Sequence, residues 1–139
     1  MIEAIKDFCE SHDQDLPESV GEISRTVFES LAFKYREIMM NLEDVINKKI
    51  KILHIIGGGS QNALLNQFTA NILNIPVKAG PFEATAIGNI LVQALALGKI
   101  KDIAELRQIV KKSFPIKNHT PKNTEKWEEA FQIYREKTK

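Results

Sequence analysis

Most of the chain carries apolar residues at steps of three and four, the spacing that places them on one face of an α-helix. This pattern predicts helices over residues 1–12, 20–47, 60–74, 83–97 and 102–112. A last helix carries Trp127, Ala130, Phe131 and Tyr134 on one face, which predicts an aromatic core stripe. Runs rich in β-branched residues predict short strands at 50–56 and 77–79, and residues 114–120 are predicted to be extended.

Helix ends carry recognisable signals. Ser19 followed by Glu22 three residues later is a capping box at the start of the long helix over 20–47. Ser60 is the expected N-cap of the helix over 60–74, and Asn74 is its expected left-handed C-cap, with Pro76 preventing further helix. A strand, a helix and a second strand at this spacing predict a right-handed βαβ unit with parallel strands.

Three consecutive glycines, Gly57, Gly58 and Gly59, separate the first strand from its helix. Glycines lack the Cβ that blocks a ligand, and a helix start offers unpaired N–H groups at the positive end of its dipole. This order is typical of phosphate or nucleotide sites, but three glycines also suit a plain tight turn. The chain has no GxxxxGK(S/T) motif, and GxGxxG fails because Asn62 is the third residue after Gly59.

Composition limits the function classes. At 139 residues with 43% hydrophobic residues, the chain is one domain or a piece of a larger one, with a real core. A net charge of +1 predicts no nucleic-acid or membrane partner, and the basic face of the last helix is expected to be solvated. The single cysteine, Cys9, is expected to be a buried apolar filler. With no apparent signal peptide or spanning segment, a soluble cytoplasmic protein is expected.

Three expectations concern packing. The small residues of the helix over 83–97 predict that it is buried beside the strands. The broad apolar stripe over 20–47 is either core or the contact to a neighbour outside this sequence. His54, in the middle of the first strand, is expected to be satisfied or solvent-facing, because no carboxylate or nucleophile is paired with it in sequence.

The wording around the glycines is more specific than their spacing. Residues 54–67, HIIGGGSQNALLNQ, closely resemble the adenine-nucleotide motif of the FGGY carbohydrate kinases. Three further stretches resemble the same family: NIPV at 74–77, GPFEATAIGN at 80–89 and GEISRTVFESLA at 21–32. The resemblance covers nearly the whole chain but only the C-terminal part of the family's proteins. Within the family, GGGSQNALLNQ looks most like the members that act on L-rhamnulose.

The resemblance implies an α/β fold: a partial actin-like, ribonuclease-H-like ATPase lobe, helix-rich with a short parallel βαβ unit. Residues 1–139 would form a single domain, the C-terminal ATP-binding segment of an FGGY kinase. The N-terminal lobe and the first strands of the second lobe would be absent from it. An exposed sheet edge and uncovered apolar helix faces would then make the isolated chain self-associate.

The resemblance also implies the chemistry. The family's enzyme would transfer the γ-phosphoryl group of Mg²⁺-bound ATP to L-rhamnulose, giving L-rhamnulose 1-phosphate. Gly58 is the first choice for backbone contact with the nucleotide, and Asn62 would reach the adenine edge. The catalytic aspartate, the contacts to L-rhamnulose and the phosphate-clamping loops would lie upstream, so no catalytic residue or metal ligand is assigned and the isolated chain is expected to be inactive. The residues implied to bind the nucleotide are Gly57, Gly58, Gly59, Ser60, Gln61 and Asn62.

Two alternatives stay open from the sequence. In the first alternative, the chain is a segment of another FGGY kinase, for example one for xylulose, fuculose or glycerol. In the second, it is a free-standing helical interaction module without the chemistry. The sugar contacts, which would discriminate between kinases, lie in the N-terminal lobe of the family's proteins.

Overall fold

The computed structural model describes residues 1–138 as six α-helices, three short strands and one 3-10 turn. We call the 3-10 turn, Gly57–Gln61, the glycine turn. This is the helix-rich α/β architecture that the sequence predicts. The elements are α1 Ile2–Ser11, α2 Val20–Ile46, β1 Leu53–Ile55, α3 Ala63–Leu73, β2 Val77–Ala79, α4 Ala84–Ala96, α5 Ile103–Ser113, β3 Lys117–His119 and α6 Thr124–Lys137.

The three strands form one mixed sheet in the order β1-β2-β3. β1 runs parallel to β2, with Leu53 opposite Val77 and Ile55 opposite Ala79. β3 runs antiparallel to β2, with His119 opposite Val77. Because α3 connects two neighbouring parallel strands, the predicted βαβ unit is confirmed. Both parallel strands therefore end at the same edge of the sheet.

The ends of α2 and α3 follow the sequence signals. Ser19 Oγ accepts from the Glu22 N–H at 3.1 Å, and the Glu22 carboxylate accepts from the Ser19 N–H at 2.9 Å. These two reciprocal bonds confirm the capping box. Asn74 ends α3 with φ +52°, the left-handed conformation predicted for it.

The first strand is shorter than the prediction over residues 50–56, because β1 spans only Leu53–Ile55. Ile50 lies beside the end of α2 instead, where its N–H donates to Glu43 Oε1 at 2.8 Å. Lys49 Nζ donates to the other oxygen of the same carboxylate at 2.6 Å. These bonds tie the chain to α2 before the sheet begins, which is why the prediction was wrong for the start of the strand.

The core lies between α2, α3 and α6. Phe131 of α6 is buried against Ala32 of α2 and against Phe68 and Ile72 of α3. Trp127 packs on the same cluster, with its ring centroid 4.9 Å from that of Phe68. Each large side chain buried in this way stabilises the fold by about 1.5–3 kcal/mol. The aromatic stripe predicted for the last helix is therefore confirmed as core.

The prediction that α4 is a buried helix was wrong. None of its residues is buried, and Ile90 and Val92 are 66% and 55% exposed. Within residues 1–138, α5 is the main neighbour of α4. Small residues permit close approach of another element, but no described element occupies these faces. The stripe on α2 is also only partly covered, since Val45 is 84% exposed and Ala32 is the buried residue of that helix.

Two simpler expectations concern α1 and membranes. Cys9 on α1 is a buried free thiol, as predicted for an apolar filler. None of the helices within residues 1–138 has both the length and the apolar character needed to span a bilayer.

Candidate functional site

The glycine turn lies at the sheet edge where β1 and β2 end. Gly57 leaves β1 with φ +69°, a conformation that other residues rarely adopt. Its N–H donates to the Pro81 carbonyl at 3.3 Å, which joins the loop after β1 to the loop after β2. Open α/β sheets bind ligands at the carboxyl ends of their parallel strands. Both loops therefore belong to the candidate site.

Ser60 is not the N-cap of α3, contrary to the sequence prediction. It is only 6% exposed, and its Oγ donates to the Gly57 carbonyl at 2.7 Å. The buried side-chain amide of Asn66 donates to the Ser60 carbonyl at 3.1 Å. The Ser60 hydroxyl thus closes the glycine turn, and α3 begins only at Ala63.

Asn62 is the residue that caps α3. Its Oδ1 accepts from the Leu65 N–H at 3.0 Å, which satisfies one of the unpaired donors of the first turn. The side-chain oxygen is therefore engaged, and the Nδ2 donors are the part of Asn62 that can reach a ligand. Any contact of this residue with an adenine edge depends on Nδ2.

Gly58 and Gly59 form the exposed side of the turn. A Cβ added at Gly58 would meet no heavy atom of the described residues within 4 Å, whereas one at Gly59 would contact Ile55 Cγ2 at 3.5 Å. The space beside Gly58 is open, so a ligand can approach its backbone directly.

Sequence reasoning assigned no role to Gly80, which the structure shows to be tightly constrained. Its φ is +120°, and a Cβ there would lie 2.8 Å from the Pro115 carbonyl oxygen. Its N–H donates to the Ile55 carbonyl at 2.8 Å. A glycine directly after a strand often marks a close approach of two backbones, and that position was the available signal.

A cavity of about 520 Å³, the glycine cavity, opens between these loops and the start of β3. Its volume falls in the range of about 300–1,000 Å³ that is typical of small-molecule sites. Two phenylalanine rings and one lysine ammonium group are among its walls. The Glu83 carboxylate also lines the cavity, so the lining offers apolar walls for a flat group together with one cation and one anion for its polar parts. The lining residues are Ser60, Gln61, Ala79, Gly80, Pro81, Phe82, Glu83, Ile87, Phe114, Pro115 and Lys117.

The described part of the chain contains no group of three or more His, Cys, Asp or Glu side chains that could hold a metal ion. His54 is exposed, as predicted. Its neighbours on β1, Leu53 and Ile55, face α3. His54 therefore lies on the opposite face of the sheet from α3. The structure thus brings the predicted residues 57–62 together in one turn, with Ser60 turned inward and Asn62 at the helix start.

The family model for the C-terminal domain of the FGGY family of carbohydrate kinases matches residues 1–97. The chain belongs to the FGGY family of carbohydrate kinases. The matched range contains α1 to α4 and the glycine turn, and so both loops of the candidate site. The family resemblance that the sequence motifs indicate is confirmed.

Three of the most similar curated relatives are rhamnulokinases. The chain is 47% identical to that of Bacteroides thetaiotaomicron over 131 residues, which is 94% of this chain and 27% of that protein. It is 45% identical to that of Pectobacterium atrosepticum over 88% of this chain and 25% of that protein. It is 44% identical to that of Bacillus subtilis over 91% of this chain and 26% of that protein. The chain spans about a quarter of the length of these relatives.

A solved structure supports the fold. The xylulose kinase from Rhodospirillum rubrum superposes with a TM-score of 0.62 at 19% sequence identity. The match covers 87% of this chain and 25% of that one. The helices and the small mixed sheet are thus the fold of part of an FGGY sugar kinase, which confirms the predicted partial lobe.

Proposed function

We propose that this chain is the ATP-binding segment of an FGGY kinase that phosphorylates L-rhamnulose. The observation that carries the nucleotide assignment is the open backbone at Gly58, in a turn whose Ser60 and Gln61 line a cavity at the carboxyl ends of two parallel strands. In this proposal residues 1–139 are one domain of the C-terminal lobe. The sugar contacts and the catalytic base belong to other parts of a longer kinase.

The glycine turn and the glycine cavity together offer a suitable group for each part of a nucleotide, with Gly58 and Asn62 contributed by the turn outside the cavity lining. Gly58 lets the ligand lie against the backbone, and the rings of Phe82 and Phe114 provide apolar walls for a purine. Gln61 and the Nδ2 group of Asn62 supply hydrogen-bond donors for the base or ribose. The ammonium group of Lys117 supplies positive charge for a phosphate. Ser60 acts in this scheme by holding the turn from inside.

ATP supplies the transferable phosphoryl group, and Mg²⁺ neutralises charge on its phosphates during transfer. Magnesium usually keeps several waters and takes only one or two carboxylates together with substrate phosphates. The absence of an acidic cluster within residues 1–138 is compatible with that mode. In our proposal the ion is held mainly through the nucleotide, and no residue of this chain is assigned as its ligand.

The choice of L-rhamnulose over other sugars rests on sequence identity. Identities of 44–47% to three rhamnulokinases cover about nine-tenths of the chain, while the xylulose kinase is only 19% identical. The isolated chain is proposed to have no sugar kinase activity, because no base for the sugar hydroxyl is assigned in it. A coupled ADP-release assay with L-rhamnulose tests this, and turnover that copurifies with the 139-residue chain would contradict it.

Calorimetric titration of the chain with ATP, adenosine and GTP tests the nucleotide assignment. We expect ATP and adenosine to bind and to compete with each other, because both carry the base and ribose that the glycine cavity would hold. GTP should bind more weakly than ATP, because the donors of Gln61 and Asn62 are proposed to contact the base, whose edge differs in guanine. No heat with ATP and no competition between ATP and adenosine would refute the assignment.

A further inference from the structure

A second cleft, which we call the basic cleft, lies on the sheet face opposite α3. The strand register places His54 opposite Lys78 and Lys78 opposite Asn118, so three polar side chains form a row across the sheet. Arg107 and Lys111, one turn apart on α5, line the same cleft. Its volume is about 700 Å³, which is the size of a small-molecule site.

The positive charge of the basic cleft is not neutralised by acidic side chains within residues 1–138. Lys78, Arg107 and Lys111 face a lining that contains no Asp or Glu from residues 1–138. A concave surface with charge of one sign focuses its field and raises the local concentration of oppositely charged ligands. The four ion pairs found among the described residues use other cations, namely Arg25, Lys34, Arg36 and Lys49.

We propose that the basic cleft binds the phosphate groups of a small phosphorylated molecule. Arg107 presents a planar fork of donors that matches phosphate oxygens, and Lys78 and Lys111 add two ammonium groups. The His54 ring and the Asn118 amide provide further donors in the same row. This site lies on the sheet face opposite α3, whereas the glycine turn lies at the sheet edge where β1 and β2 end.

The size and charge of the cleft favour a small anion over a nucleic acid. Three cations in one concave site match a ligand with two to four negative charges, whereas the chain as a whole carries only +1. The apolar side chains Ile56 and Val110 also line the cleft, and Ile56 is 57% exposed. Arg107 and Lys111 are exposed, so their donors are accessible from solvent for charge-assisted hydrogen bonds to phosphate.

The basic cleft shares a wall with the glycine cavity, because Gly80 and Pro81 line both. The phosphates therefore have two possible sources. In one case they are the phosphates of the nucleotide itself, which would extend around the Gly80 loop. In the other they belong to a separate phosphorylated metabolite. The phosphate site is argued from the cleft alone and does not depend on the nucleotide assignment.

Titration of the 139-residue chain with tripolyphosphate, in metal-free buffer at an ionic strength of about 0.15 M, tests the site. The double variant Arg107→Gln/Lys111→Gln removes two cleft charges. We expect it to weaken tripolyphosphate binding by about tenfold or more, since charge-assisted bonds are lost. The matched control Lys101→Gln/Lys112→Gln removes the same charge next to and within α5 but outside the cleft. It should change binding by less than about twofold, the effect of distant screened charges.

Competition then identifies the source of the phosphates. If tripolyphosphate displaces ATP, and the cleft variant weakens ATP but not adenosine, the cleft takes the nucleotide's own phosphates. If tripolyphosphate binds without displacing ATP, the cleft takes a separate metabolite. Both outcomes support the phosphate site. Absence of tripolyphosphate binding, or an equal loss in the control pair, overturns it. Tripolyphosphate binding by a chain that binds neither ATP nor adenosine would refute the proposed nucleotide site and leave the cleft standing.

Discussion

The side-chain amide of Asn66 on α3 donates to the backbone carbonyl of Ser60 in the glycine turn at 3.1 Å, and both residues are buried. The bond reaches from α3 to the inner side of the turn. The Ser60 hydroxyl continues it to the Gly57 carbonyl at 2.7 Å. The turn is therefore fixed from inside, and its outer side at Gly58 stays open for a ligand.

Replacing Asn66 should loosen the turn. Asn66→Ala leaves the Ser60 carbonyl buried without its donor, so we expect the free energy of unfolding to fall by about 1–3 kcal/mol. Urea unfolding followed through the fluorescence of Trp127, the single tryptophan, measures this. The control Gln132→Ala removes an exposed side-chain bond to Glu128 and should cost less than about 0.5 kcal/mol. Equal unfolding midpoints for Asn66→Ala and the parent would show that the bond does not hold the turn.

A side chain at Gly58 should block the nucleotide. A Cβ added at Gly58 would have no heavy atom of the described residues within 4 Å. The fold should therefore tolerate the two methyl groups that Gly58→Val adds. The affinity for ATP should fall at least tenfold, because the side chain fills the space that the proposal gives to the ligand. Calorimetry with ATP measures the change, and a thermal melt checks that the structure is intact.

The matched control for Gly58→Val is Gly21→Val, at the start of α2. An added Cβ there makes an ordinary contact, 3.7 Å from Ser19 Oγ, far along the chain from the turn. It should leave the affinity for ATP unchanged. If a folded Gly58→Val chain binds ATP as tightly as the parent, the glycines serve only as a tight connection between β1 and α3.

Asn62 has two functions that can be separated. Asn62→Ala removes both the cap of α3 and the Nδ2 donors, and should cost about 1 kcal/mol of stability and up to about tenfold in ATP affinity. Asn62→Ser keeps an oxygen for the Leu65 N–H but replaces the two Nδ2 donors with the single O–H of a shorter side chain. It should therefore lose affinity while remaining nearly as stable as the parent. A serine variant with parental affinity would mean that Asn62 is only a cap.

Local patterns predicted much of this structure, and long-range packing explains where they failed. The capping box at Ser19 and the left-handed Asn74 depend on a few neighbouring residues, so the sequence reveals them. Ser60 and Asn62 are both good N-cap residues, and only the folded turn, where Ser60 bonds to Gly57, shows which one caps α3. Sequence spacing therefore predicted the turn but not the roles within it.

Features that depend on strand register could not be predicted from the sequence. The row of His54, Lys78 and Asn118 forms only because three separate strands pair in one particular register. The exposure of α4 likewise depends on which elements pack around it, and its small apolar residues would read the same in a buried helix. The basic cleft is for this reason visible only in the folded chain.

The exposed apolar faces predict self-association. Ile90 and Val92 of α4 are 66% and 55% exposed, and apolar positions of α2 are also uncovered. We expect dimers or larger species in light scattering at several concentrations. Ile90→Glu should shift the distribution toward the monomer, since it places a charge on the apolar face. Gln93→Glu adds the same charge to a polar position of α4 and should have a smaller effect. A monomer at every concentration would show that these faces do not associate.

His119 gives the stability a pH dependence of predictable sign. Its Nε2 is buried and has no hydrogen-bond partner within residues 1–138. Burial lowers the pKa of His119 below its usual value near 6.5, and the charges of Lys117 and Lys122 lower it further. The unfolded chain therefore binds a proton at a higher pH than the folded chain does. Stability is complete above about pH 6.5 and falls as the pH decreases through the window below that value.

His119→Leu should remove this part of the pH dependence, because the variant has no group that titrates in that window. We expect the free energy of unfolding of the parent to fall between pH 7.5 and pH 5.5, and that of His119→Leu to fall less, in urea titrations at both values. Asn118→Gln, which changes a neighbouring side chain on β3 that does not titrate, is the control and should keep the parental slope. Hydrogen bonds lower the pKa values of three carboxylates: Glu22 is bonded to Ser19, Glu43 to Lys49 and Glu128 to Arg36. These carboxylates therefore lose their contribution to stability only at lower pH, and equally in all three proteins. Identical slopes for the parent and His119→Leu would show that His119 does not cause the loss of stability.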